Sequence, residues 1–303
     1  MSVLSPQVAV APASLSAAGA GFHKTDDGIL IPQAPVEHRE EEYNSATFET
    51  LFRMQESHFW YQGRHRFLLN CVRRVMKTYP ADQTGNLRAV DLGGGCGGWV
   101  HYLSQNARHL FPELALADSS LRALQMAGRI LGPTIGRYQV DLLNLQWTDY
   151  WDAVFLLDVL EHIPQDEEAL RQIAKTVRPG GYLFVTTPAL QRFWSYNDTL
   201  VHHVRRYSRQ DFAHLAARCG LELCLSRYFM FFLSPLLVLS RFKSPNIEAM
   251  TPDERQELVN RTHRVPPLPA NALLRAVFSL ETPLGVWFPF PWGTSILGVF
   301  RRA

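Results

Sequence analysis

"AVDLGGGCGGWV", Ala89 to Val100, is the stretch on which the reading of the chain turns. An apolar run carrying one aspartate gives way to glycine at five of the six positions from Gly93 to Gly98. A chain gives up that much backbone entropy only where it must turn sharply or let a ligand approach the main chain. The preceding "NLRAV" suits a buried parallel strand. The following "WVHYLSQNA" opens a helix whose free N–H groups would face the loop. Two cofactor fingerprints overlap here. Gly93, Gly95 and Gly98 satisfy G-x-G-x-x-G, the dinucleotide pattern. Asp91, Gly93, Gly95 and Gly97 satisfy D-x-G-x-G-x-G. The glycines alone do not choose between them, and the plain alternative is a tight turn without a ligand.

Outward from this loop, strands and helices alternate. "LALADSS", "RYQVDLLNLQW", "WDAVFLLDVLEHI" and "GYLFVTTPA" read as the second to fifth strands. "EEALRQIAKTVRPGG" reads as a helix stopped by Pro179 and Gly180. "SRQDFAHLAARCG" has a Ser208–Asp211 capping box and a Gly220 stop. "LELCLSRYF" and "TSILGVFRR" supply two late strands. The pattern predicts an α/β fold, a Rossmann-like, seven-stranded, mostly parallel sheet with helices on both faces.

Bulk composition narrows the partners. The 303 residues carry 30 basic and 28 acidic side chains, a formal net charge of +2, so no overall field argues for nucleic acid. Cys71, Cys96, Cys219 and Cys224 have no metal-type spacing, so no metal is expected, and they suit a reducing, cytoplasmic setting. Residues 1–40, rich in Ala, Ser and Pro, read as a disordered tail. Residues 41–80 show helical periodicity in two blocks.

Asp118 and Ser119 end the second strand, where a carboxylate suits a ribose diol and either residue also suits a helix cap. Asp141, with Leu142 after it, follows the third strand, and "LLDVLEHIP" follows the fourth. Together with the D-x-G-x-G-x-G loop, this set resembles the class I S-adenosylmethionine-dependent methyltransferases, loosely those of ubiquinone and natural-product O-methylation. The resemblance covers roughly residues 45–230 and the last strand. It implies an antiparallel final strand and S-adenosylmethionine as cofactor. Asp91, Gly93, Gly95 and Gly97 would then face its amino-acid part, Asp118 and Ser119 the ribose, and Asp141 and Leu142 the adenine, with Asp158 bordering the donor. In the same resemblance "HFWYQGRHRF" is a lid, with Trp60 and Tyr61 enclosing the cofactor and Arg64 meeting its carboxylate. The bland readings are an aromatic packing face for these three, and a solvated loop for Asp158 and Glu161.

On the acceptor side, "PALQRFWSYNDTLVHHVRRYSRQDF" leaves the fifth strand at the edge where substrates cross such sheets. Trp194, Tyr196 and Tyr207 are substrate candidates, with Phe231 and Phe232 beyond. His162, His202 and His203 are candidate general bases. Adjacent histidines on an extended segment face opposite ways, so at most one of His202 and His203 is expected to line a pocket. Residues 81–229 and 291–303 form the expected core, with 230–290 as a helical insertion. That insertion reads as a lid over a small-molecule acceptor, apolar or lipid-linked, or else as a homodimer or peripheral membrane contact. The reading is methyl transfer to a small-molecule acceptor, a hydroxyl oxygen being favoured. The alternatives are a nicotinamide-dependent oxidoreductase and a non-catalytic binding domain of the same fold.

Overall fold

The computed structural model describes residues 21–36, 45–79, 86–240 and 245–303. Its frame is one nine-stranded sheet in the order β1-β2-β5-β4-β3-β6-β7-β9-β8. The strands are β1 (Phe22–Lys24), β2 (Ile29–Pro32), β3 (Arg88–Leu92), β4 (Glu113–Asp118), β5 (Gly136–Gln139), β6 (Trp151–Leu157), β7 (Val177–Pro188), β8 (Leu221–Phe229) and β9 (Ser295–Arg302). Strands β3 to β7 are mutually parallel, and β9 runs antiparallel to both β7 and β8. The chain lays β3, β4 and β5 outward in one direction, then returns to the other side of β3 for β6 and β7. The strand order therefore reverses beside β3, and a crevice opens at the carboxyl ends of the strands there.

The helices are α1 (Ser45–Ser57), α2 (Phe59–Met76), α3 (Gly98–Asn106), α4 (Leu121–Ala127), α5 (Asp166–Thr176), α6 (Tyr196–Leu200), α7 (Arg209–Cys219), α8 (Ser234–Ser240), α9 (Pro252–Thr262) and α10 (Leu268–Trp287). One sheet face packs Phe155, Phe184 and Leu297 against Phe67 and Leu68 of α2 and Trp99 of α3. The other packs Trp151, Leu183 and Phe300 against Leu170 and Ile173 of α5 and Phe212 of α7. Strand β6, buried at every position, carries side chains to both faces.

Seven strands were expected and two more are present. Residues 22–32 form a hairpin rather than a tail, and β2 pairs in parallel with β5 at Ile29 and Leu30. The cause is apolar surface at an otherwise bare sheet edge. Phe22 meets the rings of Tyr138 and Trp147 at 5.3 and 5.8 Å, and Ile29 is fully buried. The rest of the expected 1–40 tail lies outside the described residues. Helix α5 also ends at Thr176, before Pro179 and Gly180, because Val177 already pairs with Trp151 in the sheet.

Within residues 230–290 the described chain carries α8, the turn Ile247–Ala249, α9 and α10, joined by irregular stretches, and α10 lies along α2. Asn271 joins the two: its Oδ1 accepts from Phe59 N at 2.9 Å and its Nδ2 donates to Ser57 O at 2.9 Å. Gly63 lets the helices touch, since a Cβ there would stand 2.0 Å from the Phe278 ring.

Candidate active site

A cavity of about 260 Å³ opens at the carboxyl ends of β3, β4 and β6. The loop after β3 shapes one wall. Gly93 and Gly95 hold φ of 68° and 55°, and an added Cβ at Gly94 would stand 2.4 Å from Asp91 Oδ2. Asp118 ties this loop to β4, accepting from Gly95 N at 2.8 Å and Ser120 N at 2.9 Å. Asp91 is buried, and its Oδ1 has no hydrogen-bond partner. Burial pushes its pKa up to about 8; Arg64 opposes this, while Asp118 and Asp158 add to it.

The opposite end of the sheet shows what a compensated buried acid looks like. Asp152, fully buried in β6, accepts from Tyr79 Oη, Arg178 Nη1 and the Arg88 amide at 2.8, 2.9 and 2.8 Å. Asp91, near the carboxyl end of the adjacent strand β3, has no such set and is left with an acceptor for a cation that the chain does not supply. That orphaned oxygen, the crevice position and the glycine backbone fit a ligand with an ammonium and a ribose.

The N-terminal helices roof this cavity. Arg64 pairs with Asp158, and its guanidinium lies 4.8 Å from the Trp60 ring and 5.1 Å from the Tyr61 ring. Asp158 takes φ 57°, an uncommon backbone for a non-glycine residue. Of the expected cofactor residues, Asp91, Gly93, Gly95, Asp118 and Ser119 line the cavity. So do Asp141, Leu142, Asp158, Trp60, Tyr61 and Arg64. Gly97 does not. It is the N-cap of α3 at φ 79°, and its place behind the loop leaves only 3.0 Å between an added Cβ and Leu131. Leu51 and Gln55 of α1, which the sequence reading did not name, complete the roof.

A second cavity of about 600 Å³ adjoins the first, and Trp60, Tyr61, Asp158 and His162 line both. It is built from the turn Leu160–His162, from α6 and the residues after it, and from Leu237, Val259 and His263 of the insertion. Both His202 and His203 line it, against the expectation of one. They sit in a turn, with His202 at φ 58°, not on an extended strand.

His203 is held from behind. Its Nδ1 lies 2.9 Å from Asp198 Oδ1, and Asp198 takes two further bonds from Arg206, Nε at 2.8 Å and Nη2 at 2.9 Å. Burial alone would raise the Asp198 pKa, but the bonds from His203 and Arg206 outweigh it and hold the carboxyl well below its ordinary value. Nε2 of His203 is left 3.9 Å from Glu161 Oε1. Glu161 is fully buried, and neither carboxyl oxygen has a hydrogen-bond partner. Burial, with Asp158 nearby, pushes its pKa well above the usual carboxylate range. Burial, with His203 and His202 beside it, pushes His162 down to about 3, which keeps its ring neutral. Among the described residues, Glu161, His162 and His203 are the group that brings three potential metal-ligand atoms within 4.8 Å of one another.

Tyr196 lines this cavity, but four other expected substrate residues stand outside both. Trp194 turns its indole N–H to Thr199 Oγ1 at 3.3 Å. Tyr207 is drawn into the sheet's lower core, its hydroxyl donating to Asp166 at 2.8 Å. Phe231 stacks on Phe290 with centroids 4.7 Å apart, and Phe232 is exposed. Aromatic side chains near the right segment went to the nearest apolar surface, which was not the cavity. Asp198 and Arg206 were given no role, and Glu161, read as a solvated loop residue, is buried instead. Ser195-x-x-Asp198 has the spacing of a capping box, and Asp198 does cap Ser195 N at 2.8 Å, so its second bond, to His203, was hidden behind a local role.

A family model described as a methyltransferase domain matches residues 53–225, more than half of the chain. The ubiquinone biosynthesis O-methyltransferase of Escherichia coli O6:H1 is 26% identical over 165 residues, 51% of this chain and 65% of that one. The same enzyme of Aeromonas salmonicida is 28% identical over 129 residues, 39% of this chain and 52% of that one. The chain spans less than two thirds of the length of these curated relatives. Among solved structures, an S-adenosylmethionine-dependent methyltransferase of Thermotoga maritima superposes with a TM-score of 0.52 at 16% identity, over 88% of this chain and all of that one (100%). The phosphoethanolamine N-methyltransferase 2 of Haemonchus contortus, in complex with S-adenosyl-L-methionine, superposes with a TM-score of 0.52 at 14% identity, over 90% of this chain and 61% of that one. These two share the fold. The family match also decides between the overlapping glycine fingerprints, against the nicotinamide reading. The chain belongs to the methyltransferase-domain family.

Proposed function

We propose that the chain methylates a hydroxyl oxygen of a small, partly apolar acceptor held in the 600 Å³ cavity, with His203 as general base. The observation that carries this reading is the Asp198–His203 pair beside the wall shared with the smaller cavity. In this reading α1 and α2 are the cofactor lid and residues 230–290 the acceptor lid. Asp91 would meet the donor's ammonium, Asp118 its ribose and Asp141 its adenine, while Arg64 closes the site from α2. S-adenosylmethionine supplies a methyl group already activated on a sulfonium sulfur.

The chain's own part is alignment, exclusion of water and one proton transfer. Asp198 accepts from Nδ1–H of His203, which leaves Nε2 as the basic nitrogen. As the acceptor oxygen takes the methyl, its proton passes to Nε2, and Asp198 stabilises the imidazolium. The upward push of burial on the Glu161 carboxyl, which favours its neutral form, suits this role. An ionised carboxylate 3.9 Å from Nε2 would hold the imidazolium as an ion pair and remove the base. The apolar side of the cavity, Leu200, Leu237 and Val259, favours an acceptor with an aromatic or aliphatic part. The curated relatives, named for O-methylation in ubiquinone biosynthesis, support oxygen as the atom methylated.

Transfer of a labelled methyl group into an extract of small metabolites tests the reading. The expected product is an ether in the organic phase. Label recovered only on nitrogen, sulfur or carbon overturns the oxygen assignment and the need for a base.

A further inference from the structure

We infer that α8 and α10 present a docking face for an anionic lipid surface. Helix α10 is apolar on both sides. Its inner side buries Phe278, Thr282, Gly285 and Val286. Its outer side is a stripe of Pro269, Leu273, Ala276, Leu280, Leu284 and Trp287, all exposed, at the spacing of one helical face. Leu268 is 85% exposed, Leu280 69% and Trp287 63%. Twenty residues make this stripe about 30 Å long. A monomer rarely leaves so continuous an apolar surface to water.

A second exposed apolar run lies on α8 and the residues before it. Phe232, Leu236 and Leu239, at i, i+4 and i+7, are exposed on one side of that segment. The two segments are joined at Glu281 of α10, whose carboxylate accepts from Phe232 N at 2.9 Å. Trp287 and Phe288 at the end of α10 and Trp292 beyond it are all exposed, and tryptophan is a side chain that favours a membrane–water boundary.

Charge selects the occupant. Helix α8 has no charged residue, and the only acid on α10, Glu281, is buried. The neighbouring α2 has no acid; of its four arginines Arg64 turns to Asp158 and Arg73 to Asn106 O, which leaves Arg66 and Arg74 beside α10. Arg66 donates to Ser279 Oγ at 2.8 Å, Arg74 lies 4.4 Å from the Trp287 ring, and exposed Arg275 rises from α10 itself. An apolar stripe with an arginine rim complements lipid tails below anionic headgroups. A second copy fits less well, because a two-fold contact through this face would set the arginine rims against each other. No helix among the described residues is long and apolar enough to cross a membrane, so the face rests on the surface. Leu237 and Ser240, on the same α8, line the 600 Å³ cavity, so docking sets one wall of that cavity at the lipid boundary.

The test is co-sedimentation of the full chain with vesicles of phosphatidylcholine alone and of phosphatidylcholine with phosphatidylglycerol. Binding is expected to the mixed vesicles, weaker at raised salt. The double variant Leu280→Glu/Leu284→Glu should lower it by at least about tenfold. The same variant should bind S-adenosylhomocysteine as the parent does, which shows that it is folded. The proposal is overturned if the mixed vesicles fail to sediment the parent chain, or sediment parent and variant equally. It is also overturned if light scattering finds a parent dimer that the variant dissolves, because the face then belongs to a second copy.

Discussion

The two adjoining cavities are made from different kinds of chain. The smaller one stands on strand ends. Asp91, Asp118, Asp141 and Asp158 come at or just beyond the carboxyl ends of β3, β4, β5 and β6, so each acid's place follows from the end of a strand. The larger one is assembled from Leu160–His162, from residues 196–206 and from helices of the insertion, which are far apart in sequence. In the first cavity a backbone rule places the side chain. In the second, packing does.

If that division is right, the largest single effect should come from a residue of the second cavity that leaves the first intact. His203→Ala should lower turnover by about 100- to 10,000-fold, the usual range for a general base, with cofactor affinity unchanged. His202→Ala, which lacks the Asp198 tether, should cost far less. Titration calorimetry with S-adenosylhomocysteine and steady-state turnover separate the two. Full turnover in His203→Ala would remove the base from the mechanism.

The converse substitution belongs to the first cavity. Asp118→Ala removes an acceptor that also holds Gly95 N and Ser120 N. Loss of a charge-assisted bond costs about 1.5–3 kcal/mol, so cofactor affinity should fall about tenfold or more. Circular dichroism must show the fold retained. Undiminished affinity in that folded variant would take Asp118 out of the ribose role.

The same division explains what could be read in advance. Asp118, Asp141 and Asp158 were legible because a run of apolar residues marks the strand and a polar residue soon marks its end, and Asp91 because the D-x-G-x-G-x-G spacing marks it. Strands β3 to β9 were legible for the same reason. The β1–β2 hairpin was not, because its strands of three and four residues are shorter than any periodicity can mark, and Phe22 and Ile29 gain their meaning only from Tyr138 and the edge of β5. Glu161 looked like a polar loop residue, yet the turn Leu160–His162 folds it fully into the interior. Asp198 carried a local signal that hid its distant partner. Tyr207 and Phe231 were chosen as aromatic residues near the right segment, and packing sent them elsewhere.

A third outcome concerns pH and sharpens the role of the orphaned acid. Asp91 has a pKa raised to about 8, so without a partner it is mostly protonated at pH 7. A group raised in the folded state costs stability as pH climbs from its ordinary value toward the raised one. The cofactor-free protein should therefore lose stability as pH rises toward 8. An ammonium beside Asp91 reverses the preference, so binding near pH 7 should release a proton. Affinity should improve severalfold from about pH 6 to pH 8 and fall again once the ligand's own ammonium loses its proton. Calorimetry in buffers of different ionisation enthalpy counts the proton. Asp91→Asn should abolish the proton release; persistent release in that variant would assign it to another group.

The smallest expected effect tests whether the two cavities share a moving wall. Trp60 and Tyr61 line both, and their rings meet edge-on at 4.8 Å. They sit on the first turn of α2, ahead of Phe67, Leu68, Cys71 and Val72, which are already fully buried in the core. Closure over a cofactor can therefore tighten only α1 and the beginning of α2. Hydrogen exchange with and without S-adenosylhomocysteine should show added protection across residues 55–64 and little change at 67–72. Helix α10 should stay unchanged, although Asn271 holds it to Phe59 N, because that bond is present before any ligand arrives. If 55–64 gains nothing, Trp60 and Tyr61 are packing residues and the lid does not exist. If α10 gains as much protection as α2, the two helices close as one body, and the acceptor cavity is remodelled by the cofactor rather than waiting beside it.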